Sequence, residues 1–99
     1  MCGICGFIDD DDVPLSHSFN MLSKIRHRGP DQVGVYLDGS IDIGRDIGDL
    51  DIGKTSGSIC LAQARLEIVG GREGVQPIKG EKLTIIHNGE IVFLRNILE

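Results

Sequence analysis

An α+β fold with antiparallel sheets and a flanking helix is predicted by three features of the sequence. Val33, Val35 and Leu37 alternate before the hairpin dipeptide Asp38-Gly39. Leu15, Phe19, Leu22 and Ile25 recur at spacings of four, three and three, the period of a helix with one apolar stripe. Two further strand-like segments, 58–66 and 82–87, follow later in the chain.

Taken in order, Gly3, Ile4, Gly6, Phe7 and Ile8 read as a buried first strand. Asp9-Asp10-Asp11-Asp12 follows; four adjacent carboxylates repel one another, which predicts a solvated loop that also supplies a helix cap, with a calcium site as the minor alternative. Pro14 suits the first turn of a helix over about 14–25, with Met21 as filler beside its stripe. Arg26-His27-Arg28-Gly29-Pro30-Asp31 breaks the helical pattern and forces a loop that crowds two guanidinium groups and an imidazole. Residues 32–37 then form a strand that turns at Asp38-Gly39 and returns through Ser40, Ile41, Asp42 and Ile43.

Asp-Ile-Gly occurs three times within 42–53, a stretch too short and irregular for a repeat array and read as a mobile loop or a hairpin extension. Segments 58–66 and 82–87 are expected to pair as a second hairpin across the loop Gly70-Gly71-Arg72-Glu73-Gly74. Asn88-Gly89 turns the chain again, and Leu94, Ile97 and Leu98 begin a helix.

A chain of 99 residues makes one domain, and an aromatic content of 4% within a 40% hydrophobic fraction leaves Ile, Leu and Val to build the core. The net charge of −5, with basic residues scattered apart from Arg26-His27-Arg28, argues against a nucleic-acid partner. No apolar run reaches membrane length and no signal-peptide pattern opens the chain, so the expectation is a cytoplasmic protein with no membrane partner.

Cys2, Cys5 and Cys60 make neither an even disulfide framework nor a four-ligand zinc set, and His17, His27 and His87 add no ligand spacing. No metal or cofactor is expected. The C-x-x-C pair Cys2/Cys5 lies in a strand pattern rather than at the helix start a redox pair occupies.

Two sets of residues compete to carry the chemistry. Gly48-Asp49-Leu50-Asp51-Ile52-Gly53-Lys54-Thr55 satisfies G-x-x-x-x-G-K-[ST], but it lacks a buried strand before it and a helix after it, and Asp49 and Asp51 would face the anion. Cys2 offers more. Removal of Met1 leaves a thiol beside its own α-amine, whose reference pKa of about 7.7–8.0 suits a base near neutral pH. The bland alternative is an inert, half-buried thiol.

Met1-Cys2-Gly3-Ile4-Cys5-Gly6, Arg26-His27-Arg28-Gly29-Pro30-Asp31 with Gly34, Leu61-Ala62-Gln63-Ala64-Arg65-Leu66 with Ile68, Gln76-Pro77 and Asn88-Gly89-Glu90-Ile91 occur in that order. Together they resemble the class II glutamine amidotransferase domain, the amino-terminal-nucleophile glutaminase of glutamine-dependent asparagine synthetases. The resemblance runs from Cys2 to about Leu98 and implies that residues 1–99 are a single domain similar to the amino-terminal half of that domain. It also implies a partial Ntn-hydrolase-like sandwich of antiparallel sheets with a flanking helix.

By the same resemblance, Cys2 is the nucleophile that attacks the side-chain amide of glutamine, with its α-amine as base. Asn88 and the Gly89 N–H are the oxyanion donors, and Arg65 grips the substrate α-carboxylate, with Gln76 and Glu90 completing the expected substrate-binding set. Arg26, His27 and Arg28 match a loop near the nucleophile, read first as structural support.

The chain also departs from the family pattern. Gln63 stands where a histidine is usual, and Val92-Phe93 follows Glu90-Ile91 where a Tyr-Asn pair is usual. The later acidic residue that binds the substrate amine, the strands that complete both sheets and an ammonia-using domain are not in this sequence. Half a sandwich exposes strand edges and an apolar face, so the expectation is a homo-oligomer or a separate partner chain that completes the fold. The alternative function is a catalytically inactive remnant serving as a binding or regulatory module.

Overall fold

The computed structural model describes residues 3–66 and 76–87. Among these residues, six strands and one α-helix follow one another as β1 (Gly3–Pro14), α1 (Leu15–Ile25), β2 (Gln32–Leu37), β3 (Ser40–Gly44), β4 (Ser56–Arg65), β5 (Ile78–Lys79) and β6 (Thr84–Ile85). β1 to β4 form an antiparallel sheet in the order β1-β4-β2-β3, and β5 pairs with β6. The α+β class with antiparallel sheets and a flanking helix is therefore the observed one.

Register explains the core. Gly3, Ala64 and Val33 lie in one row across β1, β4 and β2; Cys5, Ala62 and Val35 lie in the next, and Phe7, Cys60 and Leu37 in the third. Because side chains alternate along a strand, all three rows point to one face. The helical stripe of α1, Leu15, Phe19, Leu22 and Ile25, packs on that face, with Leu22 fully buried. The small residues Cys60, Ala62 and Ala64 of the central strand leave room for the helix to approach.

The hairpin of β2 and β3 is as expected. Asp38 and Gly39 take φ of 45° and 97°, the left-handed pair that a two-residue turn needs.

The acidic run departs from the loop expectation. β1 continues through Asp9–Asp12 to Pro14, with a shift of register between Ile8 and Val13, after which Val13 pairs with Gly57 and Pro14 with Ser56. A bulge absorbs the extra residues, the carboxylates stay exposed, and long β4 supplies the pairing that local charge repulsion opposed. No acidic side chain caps α1: Pro14 occupies the cap position without a side-chain bond, and the Leu15 N–H donates to the Thr55 carbonyl at 2.8 Å.

Two other expectations are corrected. Segment 82–87 does not pair with β4, whose partners are β1 and β2; Thr84-Ile85 pairs instead with Ile78-Lys79. Nor is 42–53 a loose loop. β3 runs to Gly44, a 3-10 turn at Ile47–Asp49 is closed by a reciprocal cap between Asp46 and Asp49, and Ile52 is buried in the core with Ile47 and Leu50 beside it. The expected helix near Leu94, the Gly70–Gly74 loop and the turn at Asn88-Gly89 lie outside the described residues.

Candidate active site

The second face of the sheet carries the polar residues of interest. Arg65 and Gln63 alternate with Ala64 on β4; Arg65 is paired in register with Gln32, and Gln63 with Gly34 of β2 and Ile4 of β1. Both are buried, at 4% and 1% exposure. Burial of that kind is uncommon for polar side chains and demands partners. Arg65 Nη1 donates to Gln32 Oε1 at 3.0 Å, and Gln63 Nε2 donates to the His87 carbonyl at 2.8 Å.

The loop 26–31 wraps the end of β4. The Asp31 N–H donates to the Arg65 carbonyl at 2.9 Å, Pro30 bridges to Arg65, and Gly29 lies so close that a Cβ there would fall 2.1 Å from the Ala64 carbonyl oxygen. Arg26 ties the loop to the β3 connection through the Gly29 and Arg45 carbonyls and an ion pair with Asp46 at 3.7 Å. His27 is exposed. These contacts agree with a supporting role for the loop, since its backbone holds the strand end from which Arg65 projects.

Gln76 and Pro77, joined by a cis peptide, bring the β5–β6 pair over the same face. A Cβ on Gly34 would meet the Gln76 carbonyl oxygen at 1.8 Å, so only glycine permits this approach. The Gln76 side chain then accepts the His87 N–H at 2.6 Å. Gln32 is a member of this cluster that the sequence reading does not single out; only the register that sets it opposite Arg65 reveals it.

Cys2, Asn88, Gly89 and Glu90 lie outside the described residues. Their chain neighbours do not. Gly3, which follows Cys2, pairs with Ala64, and His87, which precedes Asn88, is bonded to Gln63. The two neighbours therefore meet consecutive residues of the central strand.

The described thiols are not activated. Burial, and then the neighbouring Cys60, push Cys5 up to about 11. Burial also raises Cys60 despite an opposing hydrogen bond from Ser18, and the Asp38 charge raises it further. Both are free thiols facing the core. Among the described residues no group of three or more His, Cys, Asp or Glu is placed to hold a metal ion. None of the described helices is long and apolar enough to cross a membrane.

Comparison with known proteins identifies the family. The family model of the glutamine amidotransferase domain matches residues 1–53. The chain is 40% identical over 96 residues to a protein of Methanocaldococcus jannaschii named as an asparagine synthetase (glutamine-hydrolysing), a match that covers 92% of this chain and 18% of the relative's length. No solved structure matches the chain. The chain belongs to the glutamine amidotransferase domain family.

Proposed function

We propose that this chain performs the glutaminase half-reaction of a class II amidotransferase. With Met1 removed, the Cys2 thiol passes its proton to the α-amine and attacks the glutamine side-chain carbonyl. The tetrahedral intermediate places its oxyanion between the Asn88 side-chain amide and the Gly89 N–H. Collapse breaks the C–N bond as the α-ammonium returns the proton, ammonia leaves, and water then hydrolyses the thioester to release glutamate. Arg65 binds the substrate α-carboxylate, and Glu90 lines the remainder of the substrate site.

The observation that supports this reading is the convergence on β4: the residue after Cys2 pairs with Ala64, and the residue before Asn88 is bonded to Gln63. The relative's name carries glutamine hydrolysis, which fits glutamine as the small-molecule substrate. A thiol nucleophile needs a reducing compartment, which fits the cytoplasm.

The open part of the sheet supports the further reading that a second copy or a separate chain completes the fold. Ile8 is 82% exposed, and Ile4 and Ile59 are each 44% exposed on the face opposite α1.

One observation favours the second reading, a non-catalytic binding module. Arg65 is 4% exposed, and its Nη1 donates to Gln32 Oε1 at 3.0 Å, a contact within the fold itself. Intact mass of the untagged protein, before and after a diazo-ketone glutamine analogue, decides between the two. Loss of Met1 with a single adduct at Cys2 supports the glutaminase. Retained Met1, or no adduct at Cys2, overturns it in favour of the module.

A further inference from the structure

We infer that Gln63 and Gln76 are a pair of positioning residues that grip the His87 backbone from both sides and so aim the Asn88-Gly89 donor pair; this rests on the glutaminase reading above. Gln63 Nε2 donates to the His87 carbonyl at 2.8 Å, and Gln76 Oε1 accepts the His87 N–H at 2.6 Å. The His87 N–H and C=O belong to successive peptide planes, so bonding both fixes the plane on each side of the His87 Cα. Only the two backbone torsions of Asn88 then separate the clamp from the Gly89 N–H. Oxyanion donors work by being held in place before the charge develops, and a clamp one residue upstream supplies that restraint.

Both jaws are themselves anchored. Gln63 is 1% exposed on the central strand, and Gln76 is seated on Gly34, where a Cβ would fall 1.8 Å from its carbonyl oxygen. Gln63 Oε1 is buried without a hydrogen-bond partner among the described residues. An orphaned acceptor is costly, and an apolar side chain of similar size would avoid it. Keeping the amide is explained by what Nε2 does: the His87 carbonyl can only accept, so the residue beneath it must donate.

The substitutions Q63L and Q76L remove one jaw each; Q76E keeps the acceptor and Q63H keeps an N–H donor. Two readouts are taken on the full chain: steady-state hydrolysis of glutamine, and hydrogen exchange of the His87 amide by NMR. The expected result is a fall in kcat of about 10²- to 10³-fold for each Leu variant, the range seen when an oxyanion donor is lost, with KM within about threefold. The His87 amide should exchange at least about tenfold faster in Q76L, and Q76E and Q63H should recover most of kcat. Gln76 is half-buried, so Q76L remains informative if Q63L fails to fold.

Unchanged exchange in Q76L overturns the clamp itself. Faster exchange with unchanged kcat overturns the positioning role, as does a raised KM at constant kcat, which would return Gln76 to substrate binding. Absence of Cys2-dependent hydrolysis in the unaltered chain overturns the glutaminase reading and the positioning role together, and the exchange result still decides whether the clamp exists.

Discussion

Gly34 and Gln76 approach so closely that a methyl group on Gly34 would lie 1.8 Å from the Gln76 carbonyl oxygen, with Pro77 Cδ 3.0 Å away. Backbone cannot give way as a flexible side chain does. Gly34→Ala must therefore lift the 76–79 segment from β2 or distort the strand, and overpacking of this kind costs about 1–3 kcal/mol. Urea unfolding should show a lowered midpoint with an unchanged slope. A wild-type midpoint would show that the segment is not seated on Gly34.

That contact also marks what the sequence could reveal and what it could not. The Asp38-Gly39 turn and the stripe of Leu15, Phe19, Leu22 and Ile25 are local signals, and the hairpin and helix follow them. Strand β4 is visible in its composition, but its place between β1 and β2 is not, because pairing with partners 23 to 61 positions away leaves no trace in local periodicity. The acidic run read as a loop because repulsion is a local property; its strand character comes from Val13 and Pro14 meeting Gly57 and Ser56. Arg65 and Gln76 are singled out by resemblance, whereas Gln32 is visible only through register.

Cys5 and Cys60 predict a stability that declines in alkali. The Cys5 thiol is pushed up to about 11, from an ordinary value of 9.0, by burial and by Cys60, and Cys60 is also raised. Below about pH 9 both folded and unfolded chains keep these protons, so the contribution is fully present. Between about 9 and 11 the unfolded chain releases its protons first, and folding weakens as pH rises. The urea midpoint should stay flat from this source between pH 6 and 8 and fall between pH 9 and 10.5. Cys5→Ser should shrink that fall; an equal fall in the variant would assign it to other groups.

Asp38 predicts the opposite slope at the acid end. Its carboxylate accepts the Ile59 N–H at 2.8 Å and the Ser58 N–H at 3.0 Å, bonds that hold its pKa below the ordinary 3.8. Folding therefore gains from this group above about pH 3.8 and loses that gain as pH falls through the lower folded value. Asp38→Asn tolerates the φ of 45° and keeps one acceptor but cannot titrate. Its unfolding midpoint should lie below that of the parent at pH 6, with the difference narrowing toward pH 2.5. A difference independent of pH would mean that the carboxylate charge is not what the two N–H groups recognise.

Ile8 and Ile59 face each other across β1 and β4 on the open side of the sheet, 82% and 44% exposed. In an isolated chain a side chain this exposed adds little to folding, and replacing it should change stability by no more than about 0.5 kcal/mol. The same pair contributes far more if a second copy or another chain covers the face, because its apolar area is then removed from water at about 25 cal/mol per Å². Ile8→Lys combined with Ile59→Glu avoids opposing like charges across the strands. In sedimentation velocity the double variant should be monomeric at concentrations where the parent associates, while the urea midpoints of dilute samples agree. If both proteins sediment as monomers throughout, self-association through this face is ruled out. If both associate equally, the contact lies elsewhere on the sheet.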